Sequence, residues 1–137
     1  MIIEINGEEV VRNLELVTDV ARQLRFHNIG VSINDLGTEW PLLMGIRDFP
    51  FVEIKVDKQF VAGCADDRTK RTTCGRILNL ADGYGSRTVA GGVESRADFA
   101  VVREMGFNLV QSYLFARPMA AKKFARTMLG RSLSFPR

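Results

Sequence analysis

Five short β-prone runs carry or end on a residue type that can do chemistry. "MIIEI" carries Glu4, and "VSI" stops at Asn34-Asp35. "FVEIKV" brings Lys55 with Asp57 just beyond it, "RTVA" runs into Gly91-Gly92-Val93-Glu94, and "FNLVQ" ends in Gln111. If the strands are parallel, their C-terminal ends share one face and these groups meet at one mouth. Carboxylate oxygens there suit Mg²⁺ or Mn²⁺, hard cations that leave positions open for phosphate. A lysine among them can neutralise a phosphoryl oxygen or orient a water.

The intervening segments supply what such a mouth needs. Asn6 is placed to cap one helix running through "EEVVRNLELVTDVARQLRFH", where Val10, Leu14, Val17, Val20, Ala21 and Leu24 keep helical spacing. Asn28-Ile29-Gly30 closes it. A second helix is expected from about Asp67 to Asp82, broken by Gly83 and Gly85. Ser95 with Asp98 reads as a capping box for a helix to about Met105, and Pro118 suits the first turn of a terminal helix. The rhythm is β-α repeated about five times, which predicts an α/β fold with a parallel sheet covered by helices.

The totals narrow the functional classes. A chain of 137 residues with 46% hydrophobic and 26% charged residues has the make-up of one globular domain. No run approaches the roughly 18 apolar residues of a membrane span, and "MIIEINGEEV" has no signal-peptide pattern, so a cytoplasmic protein is expected. Cys64 and Cys74 lack a CxxC spacing or a nearby histidine and read as small buried thiols. His27, the one histidine, stands at an expected helix end where a cation suits the dipole, so histidine-based catalysis is not expected. After Glu104 there is no acid, while Arg117, Lys122, Lys123, Arg126, Arg131 and Arg137 follow. Without interleaved aromatics this basic end reads as a solvated helix and tail rather than a DNA-binding surface.

These stretches, in this order, resemble the C-terminal part of the EAL domain, a bacterial cyclic di-GMP phosphodiesterase module. "IIEING" is similar to the family's L-E-[IL]-T-E strand. "LRFHNIGVSINDLGTEW" is similar, within a residue, to the stretch that ends in D-D-F-G-T-G-[YF]. "FVEIKVDKQFV" resembles [LIV]-K-I-D-[RKG]-x-F-[VI], "TVAGGVES" resembles V-A-E-G-V-E-[TS], and "MGFNLVQSYLFARPM" resembles the segment built around a Q-G-[YF]. The resemblance implies a partial TIM-type β/α barrel over residues 1–130, with 131–137 as a basic tail. It also implies Mg²⁺ or Mn²⁺ as cofactor of a functional site. Carried over by position, Glu4 and Asp35 are metal ligands, with Asn34 beside them, and Lys55 positions the attacking water. Glu94 matches the second glutamate of A-E-G-V-E and Gln111 a glutamine near the metals, and Arg117 is expected to meet phosphate with it.

The departures from the family pattern bear on activity. The opening half, with its E-A-L glutamate, has no counterpart. Asn34 replaces the first aspartate of the pair, Gly91 the glutamate of A-E-G-V-E, and Gly7 a glutamate that in the family helps hold a loop over the metals. "DLGTEWP" departs from D-F-G-T-G-[YF]-S, and Ser112 replaces the usual glycine. Two divalent cations need those carboxylates, and losing one catalytic electrostatic group typically costs ~10²–10³-fold. The resemblance therefore implies a degenerate member without phosphodiesterase activity, working through contacts with a signalling partner. Alternatives are a receptor that binds cyclic di-GMP through Lys55, Glu94, Gln111 and Arg117, and a weak or partner-completed phosphodiesterase. A sheet cut from a barrel leaves open edges, so a homodimer is expected.

Overall fold

Alternation along residues 30–36 and 51–56 separates an apolar face from a polar one, and this assigns the layers. In the computed structural model, which describes residues 1–111 together with Met119 and Ala120, β1 (Ile2–Asn6), β2 (Gly30–Leu36), β3 (Phe51–Val56), β4 (Arg87–Ala90) and β5 (Leu109–Val110) pair in sequence order and all parallel. Val31, Ile33, Ile54, Val56, Ala90 and Val110 lie on the helix-covered face and are buried. Each of these valine and isoleucine side chains contributes roughly 1.5–3 kcal/mol by leaving water. Strand order that never reverses is the winding of a β/α barrel rather than of a doubly wound sheet. The sheet is not closed, so the fold is a partial TIM-type barrel, as the sequence reading expects. Among the described strands β1 has β2 as its one neighbour.

The first helical segment differs from the single helix expected. It is two pieces, α1 (Gly7–Arg12) and α2 (Leu14–Phe26), joined at Asn13 with φ −127° and ψ 45°. Asparagine competes with the helix for its own backbone and gives way readily. Hydrogen bonds still cross the kink, from Asn13 N to Glu9 O and from Val17 N to Asn13 O. Asn6 caps α1 as expected, its Oδ1 accepting from Glu8 N at 2.8 Å.

A short helix α3 (Lys58–Val61) and a 3-10 turn at Cys64–Asp66 lead into α4 (Arg68–Tyr84). Asp67 caps α4 through Lys70 N, and Gly85, at φ +72°, ends it. Gly83 stays inside the helix, so only the second of the two expected breakers acts. Helix α5 (Arg96–Met105) begins at Ser95, whose Oγ accepts from Asp98 N at 3.1 Å. The expected capping box is only half formed. The Asp98 carboxylate turns away and accepts from Gly63 N at 2.8 Å and Ala65 N at 2.9 Å, tying the 3-10 turn to α5.

The last strand is shorter than the five-residue run expected. Phe107 is buried in the core, and Asn108 Oδ1 accepts from Thr88 N at 2.9 Å, so ladder pairing is confined to Leu109–Val110. Met119–Ala120 form a strand, β6, antiparallel to β5, where a terminal helix starting at Pro118 was expected. Pro118 itself, Arg117, Ser112, the basic residues beyond and the proposed boundary at 130 lie outside the described residues. Among the described residues no helix is long and apolar enough to cross a membrane.

Both thiols are buried, as the sequence reading expects. Burial, with the Asp98 carboxylate next in weight, pushes Cys64 up to about 11. Burial and then the neighbouring Cys64 push Cys74 up to about 12. An acid whose folded value is raised stabilises the fold below its unfolded value and loses that contribution as pH rises through the folded one. Stability to guanidinium is therefore expected to hold up to about pH 9 and to fall steadily between about pH 9 and 12. At pH 8 a thiol reagent should label neither cysteine until the chain unfolds. Rapid labelling of the native protein would contradict this.

Candidate functional site

The C-terminal ends of β2, β3 and β4 bring three of the expected residues together. Between β2 and β3 the register runs Ile33 to Ile54 and then Leu36 to Val56, so Asn34 and Asp35 together oppose Lys55. This is a β-bulge, one extra residue on β2. Asp35 takes it up in the left-handed region, at φ +54°, and is exposed. The bulge restores alternation for the core, because Leu36 returns to the helix-covered face with no exposed surface. Without it, Leu36 would share the face of Asn34.

The β4 loop closes on the same place. A Cβ on Gly91 would lie 3.1 Å from Lys55 Cε and 3.2 Å from Val56 O, so the lysine stem packs over the position where the family carries a glutamate. Gly91 N donates to Val56 O, Gln111 N to Ala90 O, and Val93 N to Gln111 O. These bonds stitch the 91–93 segment between β3 and the end of β5. Glu94 follows on the exposed side of this loop. Arg117 lies outside the described residues.

Glu4 is placed differently from the others. It pairs with Ser32, whereas Asn34 pairs with Asn6. Two residues of parallel strand amount to about 6.6 Å, so Glu4 belongs to a row below the mouth. That row continues across the sheet as Ser32, Glu53 and Arg87. Ser32 Oγ donates to Glu53 Oε1 at 3.0 Å, and the Arg87 guanidinium stands 3.3 Å from Glu53 Oε2. Glu53 is buried at 8% exposure, and these two partners hold its charge. The sequence reading did not single out Ser32, Glu53 or Arg87. The period of two was the available signal, since Glu53 shares a face with Lys55 and Ser32 with Asn34.

Asp57, the carboxylate just beyond Lys55, is occupied in capping α3, accepting from Gln59 N at 3.3 Å and Gln59 Nε2 at 3.1 Å. Gly7 has no side chain to hold a loop, and its space is taken by the carboxylate of Glu39. Two acceptors near the mouth, Asn34 Oδ1 and Gln111 Oε1, are buried with no hydrogen-bond partner. Buried acceptors are nearly always satisfied, so two that find no partner among the described residues, one on β2 and one after β5, mark places that take donors.

The divalent cations implied by the resemblance need a cluster of anionic oxygens. Among the described residues no group of three or more His, Cys, Asp or Glu side chains comes together to hold a metal ion. The sequence beyond Gln111 contains none of these residue types. With an amide at 34, glycine at 91, Asp57 in a cap and Glu4 in the lower row, the residues of this chain do not fit a two-metal centre.

Comparison with known proteins agrees with the fold and the order of these elements. A family model described as the EAL domain matches residues 1–118. The bifunctional diguanylate cyclase/cyclic di-GMP phosphodiesterase MucR of Pseudomonas aeruginosa is 28% identical over 123 residues, 90% of this chain and 18% of its own length. The cyclic di-GMP phosphodiesterase RocR of the same organism is 32% identical over 102 residues, 74% of this chain and 26% of its own. The solved MucR phosphodiesterase in complex with c-di-GMP superposes with a TM-score of 0.73 at 28% identity, over 90% of this chain and 50% of that one. A Klebsiella pneumoniae BlrP1 structure with manganese and the cyclic dinucleotide gives 0.73 at 27% identity, over 88% of this chain and 30% of that one. This chain thus spans half or less of each of these relatives. With its strand order, its mouth and a family match over most of its length, the chain belongs to the EAL domain family.

Proposed function

We propose that this chain is a degenerate EAL module of cyclic di-GMP signalling that does not hydrolyse the nucleotide and acts through protein contact. The observation that carries this is the composition of the mouth. Lys55 packs over Gly91 and faces Asn34-Asp35, and among the described residues no three carboxylates gather there. The surface offered for contact is the β1 edge. Ile2 and Ile3 are 48% and 41% exposed on a strand that pairs on one side only among the described residues, and such an edge is a template for pairing. A second copy of the chain is the expected partner.

A receptor reading rests on a different observation. Asn34 Oδ1 and Gln111 Oε1 are buried acceptors with no partner among the described residues, one on each side of Lys55 across the sheet. A cyclic dinucleotide brings both the N–H donors that would satisfy them and the phosphates that a lysine, and Arg117, would meet.

One preparation tests both. Purified protein with Mn²⁺ is expected to turn over cyclic di-GMP no faster than Mn²⁺ alone; turnover above that control would overturn the reading and restore a weak phosphodiesterase. Titration calorimetry at high micromolar nucleotide separates the two remaining functions. Heat of binding makes the receptor primary, and its absence leaves protein contact. Light scattering at micromolar concentration is expected to give a dimer, and a monomer that unfolds cooperatively would remove the second copy as partner.

A further inference from the structure

Gly7 opens α1 with an ordinary backbone, so only lack of space excludes a side chain there. A Cβ at that position would lie 2.7 Å from Glu39 Oε1, 3.2 Å from Leu36 Cα and 3.3 Å from Leu36 Cδ1. The same Glu39 oxygen accepts from Gly37 N at 3.1 Å. Glu39 itself ends the turn that follows β2 and precedes the 3-10 turn Trp40–Leu43. An anionic side chain from the β2 turn is thus laid back across the junction between β1 and α1. Gly7 and Gly37 are both buried beneath it.

We propose that Glu39 is a positioning residue whose carboxylate latches the β2 turn to the β1–α1 junction and so fixes where Asn34-Asp35 stand. The bulge that carries this pair holds an aspartate in the left-handed region and a register shift, a conformation that persists only where its surroundings over-determine it. On one side Asn34 is held by its pairing with Asn6, and Leu36 by the core. On the other side Leu36 O accepts from Asp57 N and Gly37 O from Trp40 N, and the charge-assisted bond from Glu39 holds the Gly37 amide as well. Positions 7 and 39 then form an exchangeable pair, with room for one carboxylate arriving from either side. The inference holds whether the mouth binds a nucleotide or nothing.

The test is a double-mutant cycle on the full chain, read by thermal unfolding and by amide resonances of Asn34–Leu36. Gly7→Glu alone is expected to lower the midpoint, because it forces two carboxylates into one space. Glu39→Gly alone should lower it less and shift the Asn34–Leu36 resonances. The double variant should recover at least half of the midpoint lost by Gly7→Glu and bring those resonances back towards the parent. Glu39→Gln keeps an acceptor for Gly37 N and should leave them near the parent positions, whereas Glu39→Leu should move them. Additive losses in the double variant would overturn the exchange. Unmoved Asn34–Leu36 resonances in Glu39→Gly and Glu39→Leu would overturn the positioning role.

Discussion

Asp98→Ala is expected to remove about 3–6 kcal/mol of stability, since two hydrogen bonds to an ionised acceptor contribute roughly 1.5–3 kcal/mol each. Its carboxylate is 4% exposed and accepts from Gly63 N and Ala65 N. Alanine would leave both amides without that acceptor in a place water reaches poorly. A domain of this size has only about 5–15 kcal/mol in total, so the variant should lose a large share of its stability. Guanidinium unfolding of Asp98→Ala beside Asp98→Asn measures the effect. The asparagine keeps the shape and one acceptor and should lose about half as much, because a neutral acceptor is roughly half as strong. A loss below about 1 kcal/mol in the alanine variant would show that the turn is held by other contacts. The same substitution removes one of the influences raising Cys64, so that thiol should become the more easily labelled of the two.

Gly92→Val has the second largest expected effect. Gly92 sits at φ +74°, and a Cβ there would fall 2.4 Å from Lys58 Cβ and 3.3 Å from Lys58 Cα. A β-branched residue meets a left-handed backbone costing about 1–2 kcal/mol. Overpacking against α3 adds about 1–3 kcal/mol more. Thermal unfolding should fall by about 10 °C or more, at a few degrees per kcal/mol for a chain of this length. The change should also pull the 91–93 loop from Gln111 and uncover Lys55, so any nucleotide heat seen with the parent should vanish. Gly91→Ala is the internal control. Its backbone is ordinary and its closest neighbour is a flexible lysine tip, although Val56 O at 3.2 Å cannot yield as easily. It should cost about 1 kcal/mol, at the low end of overpacking. Equal losses at the two glycines would show that the loop adapts as one piece.

The elements were largely legible because their signals are local. The apolar alternation of "FVEIKV" marks the bounds of β3, Asn6 and Ser95 each cap the helix expected of them, and the helix expected from about Asp67 starts at Arg68. Misreadings arose where a polar side chain took a conformation or a partner that the local pattern does not show. Asn13 kinks a run whose apolar spacing is continuous. Asp98 looks like half of a capping box but serves amides 33 and 35 residues away. Asn108 caps Thr88 instead of extending β5.

For the site, the sequence by itself determined the inventory and its order: which carboxylates remain, that Asn34, Gly7 and Gly91 stand where the family carries acids, and that no acid follows Glu104. Those are properties of residue type, which no folding can change. Only the tertiary structure decided who meets whom. Register across parallel strands is set by packing on the helix-covered face, and it puts Lys55 against Asn34-Asp35 while leaving Glu4 in the row of Ser32, Glu53 and Arg87. The space over Gly7 is open because glycine stands there, but that Glu39, 32 residues away, fills it depends on how the chain turns after β2.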